Sequence, residues 1–268
     1  MQRHTLKQTS KKWISQVLGI GLSLSALATH AGVTFAFDDF YSPQTVQKIH
    51  LSMDAADMRR MKEALPERIY VPAAMRWGDL EIRNVGVRYK GDSSSQPHQT
   101  HKRSYLIKVS HYEKDQRFLG MERIALDNGV QFGSLFSEPL VTEILRDLNI
   151  PASHCNHAQL FLNGEDQGVY VNVERIDESF LQRCFGSASG ALYKVHRPGP
   201  GANLAYAGPR LEDYKNCFSA KTAEAEAAYA DLVSLTQALG GGKKVPYEQV
   251  LGSQMVTDDF LQTMAVML

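Results

Sequence analysis

Two short basic stretches carry residue types suited to holding phosphate. Lys90-Gly91-Asp92-Ser93 closes one run of alternating apolar and polar residues, and His101-Lys102-Arg103-Ser104 opens the next. If the two runs are neighbouring strands, Lys90, Lys102 and Arg103 crowd one sheet edge, where ammonium and guanidinium groups would meet polyphosphate oxygens. The same residues also describe a solvated charge cluster at strand ends, so composition alone does not choose. Gly199 and Gly201 in RPGPG read as loop, without the strand-to-helix setting that a phosphate cradle needs. No Walker loop, GxGxxG, GxSxG or HExxH pattern occurs.

Two other clusters are weaker. His154-Cys155-Asn156-His157 gathers metal-ligand types, but side chains this close in sequence do not converge on one ion, and no second pair follows. No metal site is assigned. Cys155, Cys184 and Cys217 are an odd set, too few for a disulfide scaffold. In an oxidising compartment they would suit one bridge and one thiol, with the pair left open.

The elements that must position these residues follow from pattern. KIHLSM (48–53) reads as a strand and DAADMRRMKEAL (54–65) as a helix begun by Asp54. Strands return at RIYVPAAMRW and DLEIRNVGVRYKG. In KRSYLIKVS (102–110), Tyr105, Ile107 and Val109 share one face and Lys102, Ser104, Leu106 and Lys108 the other. Leu140, Ile144 and Leu148 form one apolar helical stripe that ends before Pro151. HAQLFLNGEDQGVYVNVERID reads as a hairpin, because Asn163-Gly164 tolerates the positive φ of a tight primed turn. A helix from about Asp177, a short strand ALYKV and two further helices follow.

Composition sets bounds. At 268 residues, 43% hydrophobic and 22% charged, the chain is an ordinary globular one with room for one large core or two modest ones. Twenty-nine basic residues balance 29 acidic ones, so no net field recruits nucleic acid. The first 12 residues hold Arg3, Lys7, Lys11 and Lys12 and no acid, ahead of an apolar run ending in Ala26-Leu27-Ala28. This is the form of an export signal over residues 1–28, with a buried helix or an uncleaved anchor as the alternatives. Cleavage leaves no stable membrane span and an exported protein, periplasmic, extracellular or at the cell surface. The ending TMAVML has no capping Gly and no polar tail, from which a truncated sequence is expected.

The order KGDS, KRSYLIKV, SLFSEPLVTEIL, LFLNGEDQGVYVNVERID and ALYKV resembles the spore coat protein H (CotH) family of atypical kinase-like proteins, over about residues 48–268. The resemblance implies an α+β fold: a kinase-like small lobe of antiparallel sheet plus helix at 47–176, after a lead-in at 29–46 expected to be exposed. The beginning of an incomplete helical lobe would occupy 177–268. It implies ATP with Mg or Mn, and phosphate transfer to Ser or Thr of a protein substrate or coat protein. Lys102 matches the family's KKSY lysine and would neutralise phosphate oxygens. Lys90 stands where the family has Arg, and Arg103 where it has Lys. Gly168-Val169-Tyr170 through Glu174-Arg175-Ile176 would be a strand and hinge, with Glu174 and Ile176 beside the adenine. Glu138 or Glu143 would pair with Lys102. The family's NxDxxxHNYxLY and WDxD motifs are absent, so no catalytic residue is identified and this chain alone is expected to be inactive. Two rival readings are an exported pseudokinase-like binding or coat-assembly module, and an extracytoplasmic carbohydrate or adhesion module.

Overall fold

In the computed structural model, residues 28–30, 33–91, 94–130, 133–195, 204–240 and 256–267 are described. The proposed export signal lies outside them, apart from Ala28. A short hairpin, β1 (Ala28–His30) and β2 (Val33–Phe35), leads to the helical turn α1 (Phe37–Phe40). Then come β3 (Gln47–Ser52), α2 (Ala55–Glu63), β4 (Val71–Trp77), β5 (Leu80–Lys90), β6 (Ser104–Lys108) and β7 (Arg123–Asp127). Helix α3 (Ser137–Asp147) separates them from β8 (Cys155–Leu162) and β9 (Glu165–Glu174).

These strands close on themselves in the order β3-β4-β5-β6-β7-β9-β8. The closing pair, β3 with β8, is parallel (Gln47 opposite Ala158 to Leu51 opposite Leu162), and every other pair in the barrel is antiparallel. The fold therefore corrects the expected kinase-like small lobe: seven strands form a closed mixed barrel, not an open antiparallel sheet with a helix. The physical reason is a contact between segments about 110 residues apart, which period-two alternation within each strand cannot reveal. Closure also removes the sheet edge at which Lys90, Lys102 and Arg103 were expected to gather.

Alternation fills the barrel. Ile49, Leu51, Met75, Val87, Ile107, Ile124, Leu126 and Leu160 point inward and are at most 1% exposed. Each such side chain contributes about 1.5–3 kcal/mol by leaving water. One end is plugged by aromatic rings: Phe40 meets Trp77 and Phe118 edge-on, each with centroids 5.2 Å apart. Phe40 and Tyr41, within the lead-in, are thus core residues. Asn156, inside the barrel, fixes this plug by donating from Nδ2 to the carbonyls of Phe40 (2.9 Å) and Ser42 (3.0 Å). Asn172 Nδ2 in turn donates to Asn156 Oδ1 at 3.0 Å.

The Asn163-Gly164 hairpin forms as its residues demand, with φ of 50° and 87°. Asn163 also accepts from Met53 N and donates to Met53 O, both at 2.9 Å, which ties the turn to the end of β3. After β9, Asp177 caps α4 (Glu178–Phe185) by accepting from Ser179 N. A second, smaller core combines β10 (Tyr193–Val195), α5 (Leu211–Lys215), β11 (Phe218–Ala220), α6 (Ala223–Ala227) and α7 (Tyr229–Gly240) around Tyr214, Phe218, Tyr229 and Leu232. The last helix, α8 (Thr257–Met267), packs Val266 against α3. No disulfide joins Cys155, Cys184 and Cys217. Among the described residues no helix is long and apolar enough to cross a membrane.

Candidate functional site

One cross-strand row on the outer barrel face carries the densest chemistry. Lys90 lies opposite Ser104, and Asp127 lies opposite Val171, which faces His157. Ser104 stands between Lys90 and Asp127, and its Oγ accepts from Asn128 N at 2.9 Å. Across this small side chain, Lys90 Nζ reaches Asp127 Oδ2 at 2.5 Å. Asp127 uses its other oxygen to accept from Gly129 N at 3.1 Å, which starts the turn toward α3. Gly129 needs its φ of +72° there, and a Cβ would come within 2.6 Å of Leu135. His157 Nε2 donates to Leu135 O at 2.9 Å, which holds the start of α3 over the row.

The first turn of α3 brings Glu138 into this field. Burial raises its pKa first, the Asp127 charge raises it further, and Lys90 and Arg175 oppose both. On β9's outward face Arg175 is shifted down, chiefly by burial and then by Arg123 and Arg88, with Asp177 opposing. Its Nε is buried with no hydrogen-bond partner. No side chain caps the N-terminus of α3. The Lys90–Asp127 ion pair is thus set beside an uncapped helix end, within electrostatic reach of Glu138, on which Arg175 also acts more weakly. Cation and helix N-terminus suit anionic oxygens, and paired carboxylates suit proton exchange or, once ionised, a divalent cation. Among the described residues no three His, Cys, Asp or Glu side chains converge as a self-sufficient metal site.

The residues singled out by sequence are distributed differently. Lys90 and Glu138 belong to the cluster. Arg103 staples the loop before it, donating to the carbonyls of Ser94 (2.9 Å), Gln96 (3.1 Å) and Gln99 (3.2 Å), with its guanidinium 5.2 Å from the Tyr89 ring centre. Lys102 sits at the barrel mouth, where its ammonium donates to Val169 O and lies 4.2 Å from the Tyr170 ring centre. Burial lowers its pKa, with Asp166 opposing. Its carboxylate neighbour is therefore Asp166; Glu138 instead feels the charge of Lys90, and Glu143 is exposed farther along α3.

Glu174 is held as an anchor. It is 4% exposed and takes Arg183 in a fork of 2.8 and 2.6 Å, while also accepting from His154 N at 2.9 Å. It stands five residues from Val169 along β9, about 17 Å from the Lys102 contact. Both edges of β9 are used by β7 and β8 up to Glu174, so Arg175 and the exposed Ile176 are the first residues beyond the ladder. Asp127 carries no sequence expectation, and Ser104 and Arg175 stand inside segments singled out by sequence without a role of their own. A signal existed in LDNG, where an acid ends an apolar strand directly before a turn.

Comparison with known proteins agrees with the motif order. The family model described as CotH kinase protein matches residues 87–268, which span the cluster and everything after it. The inner spore coat protein H of Bacillus subtilis (strain 168) is 26% identical over 137 residues, covering 51% of this chain. The match takes in 36% of that relative's own length. The chain belongs to the CotH kinase protein family.

Proposed function

We propose that the protein transfers phosphate from ATP, with Mg or Mn, to Ser or Thr hydroxyls of a protein substrate. The supporting observation is the pairing of Lys90 with Asp127 beside Glu138 under an uncapped helix start. In this reading Lys90 and the unpartnered Arg175 Nε take phosphate oxygens, and ionised Asp127 and Glu138 share the cation. The bound cation would neutralise phosphate charge, while Lys90 and the helix start orient the phosphate chain. Membership of the CotH kinase protein family supports the same assignment.

The second reading is a surface or coat-assembly module. The name of the Bacillus subtilis relative supports it, as does an exposed apolar stripe on α3, Phe136, Leu140, Ile144 and Leu148. Titrating the purified protein with ATP and magnesium or manganese, followed by thermal shift, separates the two. Stabilisation of wild type, weakened by about 1.5–3 kcal/mol of binding in Lys90→Ala, is expected from loss of one charge-assisted contact. Lys102→Ala in the same titration tests the barrel-mouth lysine as an alternative phosphate ligand. An equal response in wild type and Lys90→Ala removes the role given to Lys90. No response in wild type moves the assignment to the assembly module.

A further inference from the structure

A groove of about 730 Å³ lies on the outer face of β3, β4 and β5, walled by the start of α2 and the Asn163-Gly164 turn. That volume is in the range of small-ligand sites, roughly 300–1,000 Å³. It is not the charged cluster: Asn84 in the groove and Lys90 in the cluster are six residues apart on β5, about 20 Å. Its floor is built from small residues, Pro72 and Ala74, and it is open to solvent.

A registered row crosses its upper end: Phe161 opposite His50, His50 opposite Arg76, Arg76 opposite Glu81. Phe161 stacks on one face of the His50 ring, 4.6 Å between centroids and 12° between planes, and Arg76 stands on the strand at its other side. Among the described residues Arg76 makes one bond, 3.3 Å to Gly78 O. Across the groove Asp54 stands at the N-cap of α2, yet its carboxylate makes no capping bond. The groove therefore presents an acceptor-only group and a donor-only group, both unengaged by stronger partners. Glu81 is paired with Arg83 at 2.6 Å and Asp57 with Arg60 at 3.1 Å, so the remaining charges nearly cancel.

From this arrangement we infer that the groove binds a neutral oligosaccharide. A hydroxyl both donates and accepts, so the hydroxyls of successive sugars in a short chain satisfy Asp54 toward one end of the groove and Arg76 toward the other, about 13 Å away along the strands. With Asp57 held by Arg60, the open charges are one acid and one base, so a ligand of either net charge finds no complementary net field. A peptide adding to the sheet has no free strand edge in a closed barrel, and the groove offers no deep apolar pocket for an anchoring side chain. His50 also lines the groove, and burial with Arg76 and Lys48 nearby lowers its pKa, which favours the uncharged ring.

The test is an array of neutral, sulfated and uronic oligosaccharides probed with the purified protein, followed by calorimetric titration of the retained sugar. Neutral oligosaccharides should be retained at high salt. Arg76→Ala and Asp54→Asn should each weaken the titration at least tenfold with the melting temperature unchanged, and Lys90→Ala should leave it intact. Retention of nothing, retention only of charged sugars in a salt-sensitive way, or affinity indifferent to both groove variants overturns the inference.

Discussion

Lys90 and Asp127 meet at 2.5 Å although they sit on strands two apart, with β6 between them. Two inter-strand steps are about 10 Å, a span that only a long side chain crosses, and only over a small one. Ser104, 2% exposed, is that small residue. The pair is also sheltered, with side chains 27% and 13% exposed, so it is worth more than an ordinary surface ion pair. Each residue alone is unremarkable in sequence; the barrel's register makes them a site.

The two partners should not be equally costly to remove. Lys90→Ala loses the ion pair and leaves a sheltered carboxylate, about 1–2 kcal/mol. Asp127→Ala loses the pair and also the acceptor for Gly129 N, about 2–3 kcal/mol. Urea unfolding of both variants should give this order, and the reverse would mean that the turn does not depend on Asp127.

His154 gives the acid side of stability a definite sign. Its ring packs edge-on against Phe37 at 5.3 Å, and burial with Arg183 and Arg146 nearby lowers its pKa from 6.5 to about 4. Between those values the unfolded chain takes up a proton that the folded chain refuses. Stability contributed by the neutral ring is therefore full above pH 6.5 and is lost as pH falls toward 4. His154→Gln should flatten that part of the profile in denaturant titrations across the window. An unchanged slope would assign the acid sensitivity to other groups.

Legibility in the sequence followed the range of the interaction. Asn163-Gly164 announced its turn because positive φ is a local demand. β3 to β6 and the β8–β9 hairpin were visible as local pattern, but nothing local says that Gln47–Leu51 lies beside Ala158–Leu162. The same limit split the site: Lys90 and Glu138 were marked as charges, whereas Asp127 gains meaning only from its position across Ser104. The family resemblance made Glu174 a hinge residue of a cleft, whereas Arg183, nine residues on, holds it as an anchor.

The Asn163 turn can be tested apart from its glycine. Asn163→Gly keeps the positive φ but loses the two bonds to Met53, about 1–2 kcal/mol. Asn163→Ala loses those bonds and adds left-handed strain, about 1 kcal/mol more. Thermal or urea unfolding should rank wild type above Gly above Ala. Equal Gly and Ala variants would show that the Met53 bonds, not the backbone angle, are what Asn163 supplies.

Helix α3 offers a sharper test, because its spacing admits two buried faces. Leu140, Ile144 and Leu148 form one stripe, and Val141 and Leu145 form another beside it. The even four-residue spacing singles out the first, and the structure buries the second. The barrel and α8 take the second: Leu145 is 9% exposed and packs with Val141, Ile150, Ala152 and Val266. Leu140, Ile144 and Leu148 remain 57%, 39% and 43% exposed. Leu145→Ala should therefore cost about 2–4 kcal/mol, the transfer loss plus a cavity. Leu140→Lys and Leu148→Lys should each change stability by less than about 0.5 kcal/mol, since neither leaves a filled site. Denaturant unfolding of the three variants decides it. A large loss from either lysine variant would mean that the outer stripe is covered in solution, by another part of the protein or by a second copy, and a sedimentation run on the same samples tells those two apart.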